Sequence, residues 1–386
     1  MRRVMFFPSP PNSGSMGSAI KCIGIAKELR SRGNEVAFVM GGSVADLIMR
    51  EHFRVYQSPI PVAKMDIRDI NSANDFFDWT GMTEYSFLRM SVKAEVEAIY
   101  NFKPDVLFSE TRLSTPISAH ITGVPLISIA SWPCSPDFPL NVQTKGRNLK
   151  KVNELLEQYN MTPIESLTEL IYRRSDIKLA PTIPLLEPEL QYEEDIIYTG
   201  YLLDLKYRKE DIPPWLEKTK KDSRIFIYPS VGAMFPELYT KVFKETFEGG
   251  KYQVICACGY HKSLKYLPAN TEWVKFVHYI PAPAVLERSI LVIFHGGQDS
   301  MLSTLLYGIP SIVVPGRHFE REYNANNLVR TGAAMKLPVY GFRKNRLLSA
   351  IDEVLSGSYR DKSRELSLTL KSYGGVGRCI DIIESI

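Results

Sequence analysis

FHGGQDSMLSTLLYGIP, residues 294–310, decides the fold. Leu291, Val292, Ile293 and Phe294 read as a strand buried on both faces. Gly296 and Gly297 remove side chains at the strand exit, and Ser300 to Tyr307 carries helical apolar spacing. The first N–H groups of a helix have no acceptor within their own ladder, and the positive end of the helix dipole lies behind them. With no Cβ in the way, such groups can receive a diphosphate that buries its charge against backbone. The segment alone is equally compatible with an ordinary strand-to-helix connection.

The same grammar extends on both sides. Arg224 to Tyr228, Gln253 to Ala257 and Ser311 to Val314 are further short apolar runs followed by turn residues and helical spacing. Near the amino terminus, Val4 to Phe7 is a strand, PSPPNSGSMGS a turn-rich stretch, Ala19 to Arg30 a helix ended by Gly33, and Glu35 to Met40 the next strand. That is a βαβ unit, which implies a parallel sheet. Helical spacing from Glu95 to Asn101, then Val106 to Ser109 running into Glu110, and LISIA from Leu126 continue the pattern. The fold class predicted is α/β, with two doubly wound, Rossmann-like domains facing each other across a cleft. The first spans 1–200 and the second 223–368, with a charged linker carrying Pro213 and Pro214 at 201–222. A final helix at 369–386, after the glycines of YGGVGRCIDIIESI, is expected to return to the first domain.

Composition sets outer bounds. The 386 residues exceed what one core usually serves, and 45% hydrophobic with 23% charged residues is ordinary for a globular protein. Lys plus Arg number 47 against 43 for Asp plus Glu, so the +4 balance gives no electrostatic case for nucleic acid, while peripheral contact with a membrane surface stays open. The apolar run of MRRVMFFPSPP meets Pro8 too early for a signal-peptide core, and no stretch is long enough to span a bilayer, so a cytoplasmic location is expected. The cysteines are scattered, and Cys256 and Cys258 have one residue between them where zinc pairs have two or more. They read as buried thiols, with no metal site.

Together the blocks SVGA at Ser230–Ala233, ICACG ending at Gly259, FVHYIPAPAVL from Phe276, HGGQDS, LLYGIPSIVVP and EREYNANNLVRTGAA from Glu320 resemble the GT-B glycosyltransferases of families 1 and 28. The second domain looks most like the N-acetylglucosaminyltransferase of peptidoglycan synthesis. The likeness implies a UDP-sugar, or a dTDP-sugar, as co-substrate, with no further cofactor and no metal. It places Tyr279 and Ile280 at the nucleotide base, and His295, Gly296, Gly297, Gln298, Asp299 and Ser300 around the diphosphate. Gly17, Gly232 and Ala233 approach the donor from opposite loops. Glu320 and Arg321 stand where the family has an Asp-Gln or comparable polar pair on the sugar hydroxyls, with Asn324 and Ala325 in register behind them. The plain alternatives are strand-end core for Tyr279 and Ile280 and surface ion pairing for Glu320 and Arg321.

The pattern also breaks. Ser18 occupies the position of the usual acceptor-side histidine, and Glu110 that of the aspartate orienting it. A serine hydroxyl cannot serve as a base near neutral pH, so Glu110 is the candidate base, the other reading being a strand-end carboxylate. Asp299 replaces a frequent glycine and serves as a helix cap or sugar contact, and Ser303 replaces a glutamate that holds the ribose. ANDFFDWTGMTEYSFLRM from Ala73 suits either an apolar or lipid-linked acceptor or helical core, and SWPCSPDFP from Ser131 is a second acceptor-side loop. The function expected is metal-independent, inverting transfer from the UDP-sugar to a hydroxyl of a small-molecule or lipid-linked acceptor. A nucleotide-sugar-binding protein without turnover and a UDP-N-acetylglucosamine 2-epimerase-like enzyme remain as alternatives.

Overall fold

Phe6, Phe38 and Phe108 stand side by side on three neighbouring strands, with ring centroids 5.2 Å apart for the first pair and 5.0 Å for Phe6 and Phe108. The computed structural model that shows this describes residues 1–10, 15–63, 70–193, 195–203, 212–217, 223–229, 236–259 and 267–386. Phe6 is in register with both partners, so the aromatic row fixes the pairing of the strands that carry it. These strands are β1 (Arg3–Phe7), β2 (Glu35–Met40) and β4 (Val106–Ser109). With β3 (Arg54–Gln57), β5 (Leu126–Ile129), β6 (Ile177–Ala180) and β7 (Ile196–Tyr198), they form a parallel sheet ordered β3-β2-β1-β4-β5-β6-β7. Helices cover both faces, which is why β4 is buried at every position and reads as an unbroken apolar run.

The second sheet is parallel too, ordered β10-β9-β8-β11-β12-β13. Its members are β8 (Arg224–Tyr228), β9 (Gln253–Ala257), β10 (Val274–Val277), β11 (Leu291–Phe294), β12 (Ser311–Val313) and β13 (Ala334–Lys336). The helix Pro236–Phe247 supplies Tyr239, Phe243 and Phe247 to a core shared with Ile227, Ile293 and Ile351. Cys256 and Cys258 are buried there, with sulfurs 3.8 Å apart.

By its internal contacts the chain divides into Met1–Asp204 with Tyr373–Ile386, and Leu205–Ser372. The terminal helix Gly375–Ser385 belongs to the first unit because Cys379, Ile380 and Ile383 share a core with Val4 and Phe6. Gly375 has a φ of +58°, donates its N–H to Thr199 O at 2.7 Å, and would bring a Cβ within 2.8 Å of Tyr201 O. A side chain is excluded at that point. The expected division at 368 falls inside the helix Tyr359–Ser372, which stays with the second unit through Leu366, Leu370 and the Ser367 hydroxyl on Leu306 O, 2.8 Å away. Much of the expected linker, 204–211 and 218–222, lies outside the described residues.

Candidate active site

Each sheet has one place where the winding reverses: between β1 and β4 in the first, and between β8 and β11 in the second. Beyond the carboxyl ends of such strand pairs, neighbouring loops run in opposite directions and leave room for a ligand. The glycine turn after β11 lies at the second of these points, and Ser18 and Glu110 lie at the first.

In the second unit β11 ends at Phe294, Gly296 turns with φ of +89°, and Gly297, which has no side chain to cap with, is the N-cap of the helix Gln298–Leu306. Only glycine fits at 296, since a Cβ would meet Arg321 O at 2.8 Å. His295 is 7% exposed, packs edge-on against Tyr228 at 5.2 Å, and holds Nδ1 3.4 Å from Tyr228 O. Burial, with the Arg321 charge second, lowers its pKa to about 3, so the imidazole is neutral. His318 is lowered to about 3 for the same two reasons, and its Nδ1 is buried without a hydrogen-bond partner. Asn324 locks the turn to the following helix, Phe319–Arg330, by donating to Gly296 O at 3.0 Å, with Glu320 Oε1 at 3.5 Å.

The remaining donor-side candidates are distributed as follows. Asp299 and Ser300 stand in the first turn of the helix Gln298–Leu306; a carboxylate there suits the dipole although it opposes a second anion. The Ser303 hydroxyl donates to Asp299 O at 2.7 Å, which leaves its oxygen lone pairs as what it can offer a ribose. Ile280 is buried while Tyr279 is 64% exposed, so the two face opposite ways at the end of β10. Gly259 N–H donates to His278 O at 3.0 Å, tying that end to the loop after β9. Gly232 and Ala233 lie outside the described residues.

In the first unit the reversal point holds Ser18, Lys21 and Glu110. Ser18 lies in the helix Ser15–Ser31, is buried, and its Oγ accepts from Ser9 N–H at 2.8 Å. Gly17, beside it, is half-buried. Glu110, the candidate base, is buried just beyond the end of β4, and its Oε1 lies 2.8 Å from Lys21 Nζ in a buried ion pair. Nearby, Arg112 and Glu95 form a second pair at 2.8 Å, both essentially inaccessible. Arg112 also donates to Val39 O at 3.0 Å and to Ser58 Oγ at 2.9 Å, fastening the ends of β2 and β3 to the loop after β4. Ser118 Oγ donates to Glu95 Oε2 at 2.7 Å, so the charges carry further hydrogen bonds.

Residues 230–372 match the glycosyltransferase family 28 C-terminal domain. An uncharacterised glycosyltransferase of Methanosarcina mazei is 25% identical over 382 residues, covering 96% of this chain and 95% of that protein. Among solved structures, the glycotransferase of kitacinnamycin superposes with a TM-score of 0.79 at 18% identity, over 100% of this chain and 98% of the other. The glycosyltransferase VinC in complex with dTDP gives 0.74 at 16% identity, over 99% and 98%. The chain is a glycosyltransferase of the GT-B fold.

For this glycosyltransferase the structure brings together His295, Gly296, Gly297, Asn324, Glu320 and Arg321 in one unit, and Ser18 and Glu110 in the other. Tyr228, His318 and Lys21 went unremarked in the sequence. Tyr228 is the last residue of the strand beside β11, and Lys21 lies one helical turn after Ser18; those positions were the signals available. The aromatic segment from Ala73 forms the helix Ala73–Thr80 and the start of Tyr85–Phe102, with Phe77 and Phe87 buried and Phe76 and Trp79 half-buried. Among the described residues, no helix is long and apolar enough to cross a membrane.

Proposed function

We propose that the enzyme moves a sugar from a UDP-sugar, or a dTDP-sugar, to a hydroxyl of a small-molecule or lipid-linked acceptor, with inversion at the anomeric carbon and without a metal ion. The observation that carries this reading is the glycine turn at the β8–β11 reversal, inside the stretch that matches the family 28 domain. A related structure, VinC, holds a nucleoside diphosphate, dTDP.

In this reading the backbone of the turn and the Ser300 hydroxyl bind the diphosphate, main chain near Ile280 reads the base, and Glu320 accepts from sugar hydroxyls. The acceptor oxygen attacks the anomeric carbon as its bond to the diphosphate breaks. The electron pair leaves on the diphosphate, where the helix dipole and amides stabilise it. The acceptor proton passes to a base for which Glu110 is the candidate, with Lys21 as its ionic partner.

Incubation with radiolabelled UDP- and dTDP-sugars in the presence of EDTA tests the proposal. Transfer or slow hydrolysis of a labelled sugar is the expected outcome. Isomerisation of the sugar, binding with no turnover, or activity restored only by added magnesium would each overturn a stated part of it.

A further inference from the structure

We propose that Arg321 grips the distal phosphate of the donor, which makes it a leaving-group clamp and not a ligand of the sugar hydroxyls. This rests on the donor reading above. Arg321 lies directly against the glycine turn: a Cβ on Gly296 would fall 2.8 Å from Arg321 O and 3.3 Å from Arg321 Cβ. Three residues further on, the Asn324 side chain donates to Gly296 O at 3.0 Å, so the helix that carries Arg321 cannot drift from the turn.

Among the described residues, the groups that interact electrostatically with this guanidinium include Tyr228 at the end of β8, His295 in the turn, and His318 and Glu320 on its own segment. Both histidines are neutral, and Tyr228 has its pKa raised by burial, against which the Arg321 charge acts. Burial lowers the pKa of Arg321 itself, while Glu320 and Tyr228 oppose that shift. Of these groups, Glu320 is a carboxylate and the other three are neutral, and the planar fork of the guanidinium matches two oxygens of a phosphate. Sugar hydroxyls are served equally well by a neutral amide, which the family's polar pair supplies at this position. A charge placed there is matched to an anion. The orphaned Nδ1 of His318 adds a polar atom whose partner is still to come.

The test is calorimetric titration of wild type, Arg321→Gln and Arg321→Lys with UMP, UDP, dTDP, UDP-glucose and UDP-glucuronate, after thermal melts confirm folding. A clamp on the distal phosphate predicts that Arg321→Gln weakens UDP and UDP-glucose by about tenfold or more and leaves UMP within about twofold. Arg321→Lys, which keeps the charge and loses the fork, should fall between and covers the case in which the glutamine variant does not fold. Losses confined to UDP-glucose would assign Arg321 to the sugar hydroxyls and overturn the inference, as would equal losses for UMP and UDP. If UDP-glucuronate alone lost affinity, a sugar carboxylate would be the partner and the inference would also fail. Wild type that takes up neither UDP nor dTDP would sink the donor reading itself.

Discussion

The Nε2 atom of His295 lies 2.5 Å from where a side chain on Gly297 would begin. The backbone of Gly297, φ −65° and ψ 141°, is open to any residue, so the exclusion of larger residues comes from the imidazole alone. Tyr228 and Phe294 pack edge-on against that ring, with centroids at 5.2 and 6.4 Å.

Gly297→Ala should therefore cost about 1–3 kcal/mol by overpacking, seen as a drop of several degrees in Tm. The same change should weaken UDP by about tenfold, because the displaced ring disturbs the first amides of the helix Gln298–Leu306. Adding His295→Ala to Gly297→Ala should recover part of the lost Tm. A single variant that melts with wild type would show that the ring moves freely.

Stability should fall in acid before the carboxylates titrate. His295 and His318 are held to about 3 in the folded chain against an ordinary 6.5, so below pH 6.5 the unfolded chain binds protons that the native chain refuses. Their contribution is complete above pH 6.5 and is lost progressively down to pH 3, at up to about 1.4 kcal/mol per pH unit for each ring. Urea unfolding from pH 7.5 to 4.5 should show this slope, and His318→Gln should remove one proton from it. An unchanged slope in that variant would count against a neutral His318.

Lys21 and Glu110 should prove interdependent. Breaking a buried ion pair by removing one partner costs about 3–5 kcal/mol, whereas replacing both is far milder. Glu110→Gln and Lys21→Met should each lower Tm strongly, and the double variant should recover much of it. Transfer assays on the double variant then separate roles: stability restored with transfer still absent is the result expected of a base at Glu110. Full transfer there would remove Glu110 from the mechanism.

Glu320→Ala should weaken the sugar donor far more than free UDP, and Ser300→Ala should weaken UDP itself. Competition binding against a fluorescent nucleotide reads both. Equal losses for both ligands in Glu320→Ala would exclude a sugar contact.

Much of the framework is written locally. Strands 106–109, 224–228, 253–257 and 291–294 fall where apolar runs place them, because a strand covered on both faces needs apolar residues at every position. The glycine turn was legible for a similar reason: a left-handed φ at Gly296 is a property of one residue and its neighbours. Short strands at the sheet edges, such as 54–57 and 196–198, are half-buried or exposed and carry no such signal.

The sequence by itself determined two parallel-sheet domains and the position of a phosphate-type turn, since dihedral preferences and apolar periodicity act over a few residues. Only the tertiary structure decided that Glu110 meets Lys21 across 89 positions, that His295 rests on a strand end 67 positions earlier, and that Arg112, itself paired with Glu95, ties the ends of β2 and β3 to the loop after β4. Those partners are chosen by sheet order and packing: a buried charge requires some counter-charge and hydrogen bonds, but nothing in its own neighbourhood names which ones.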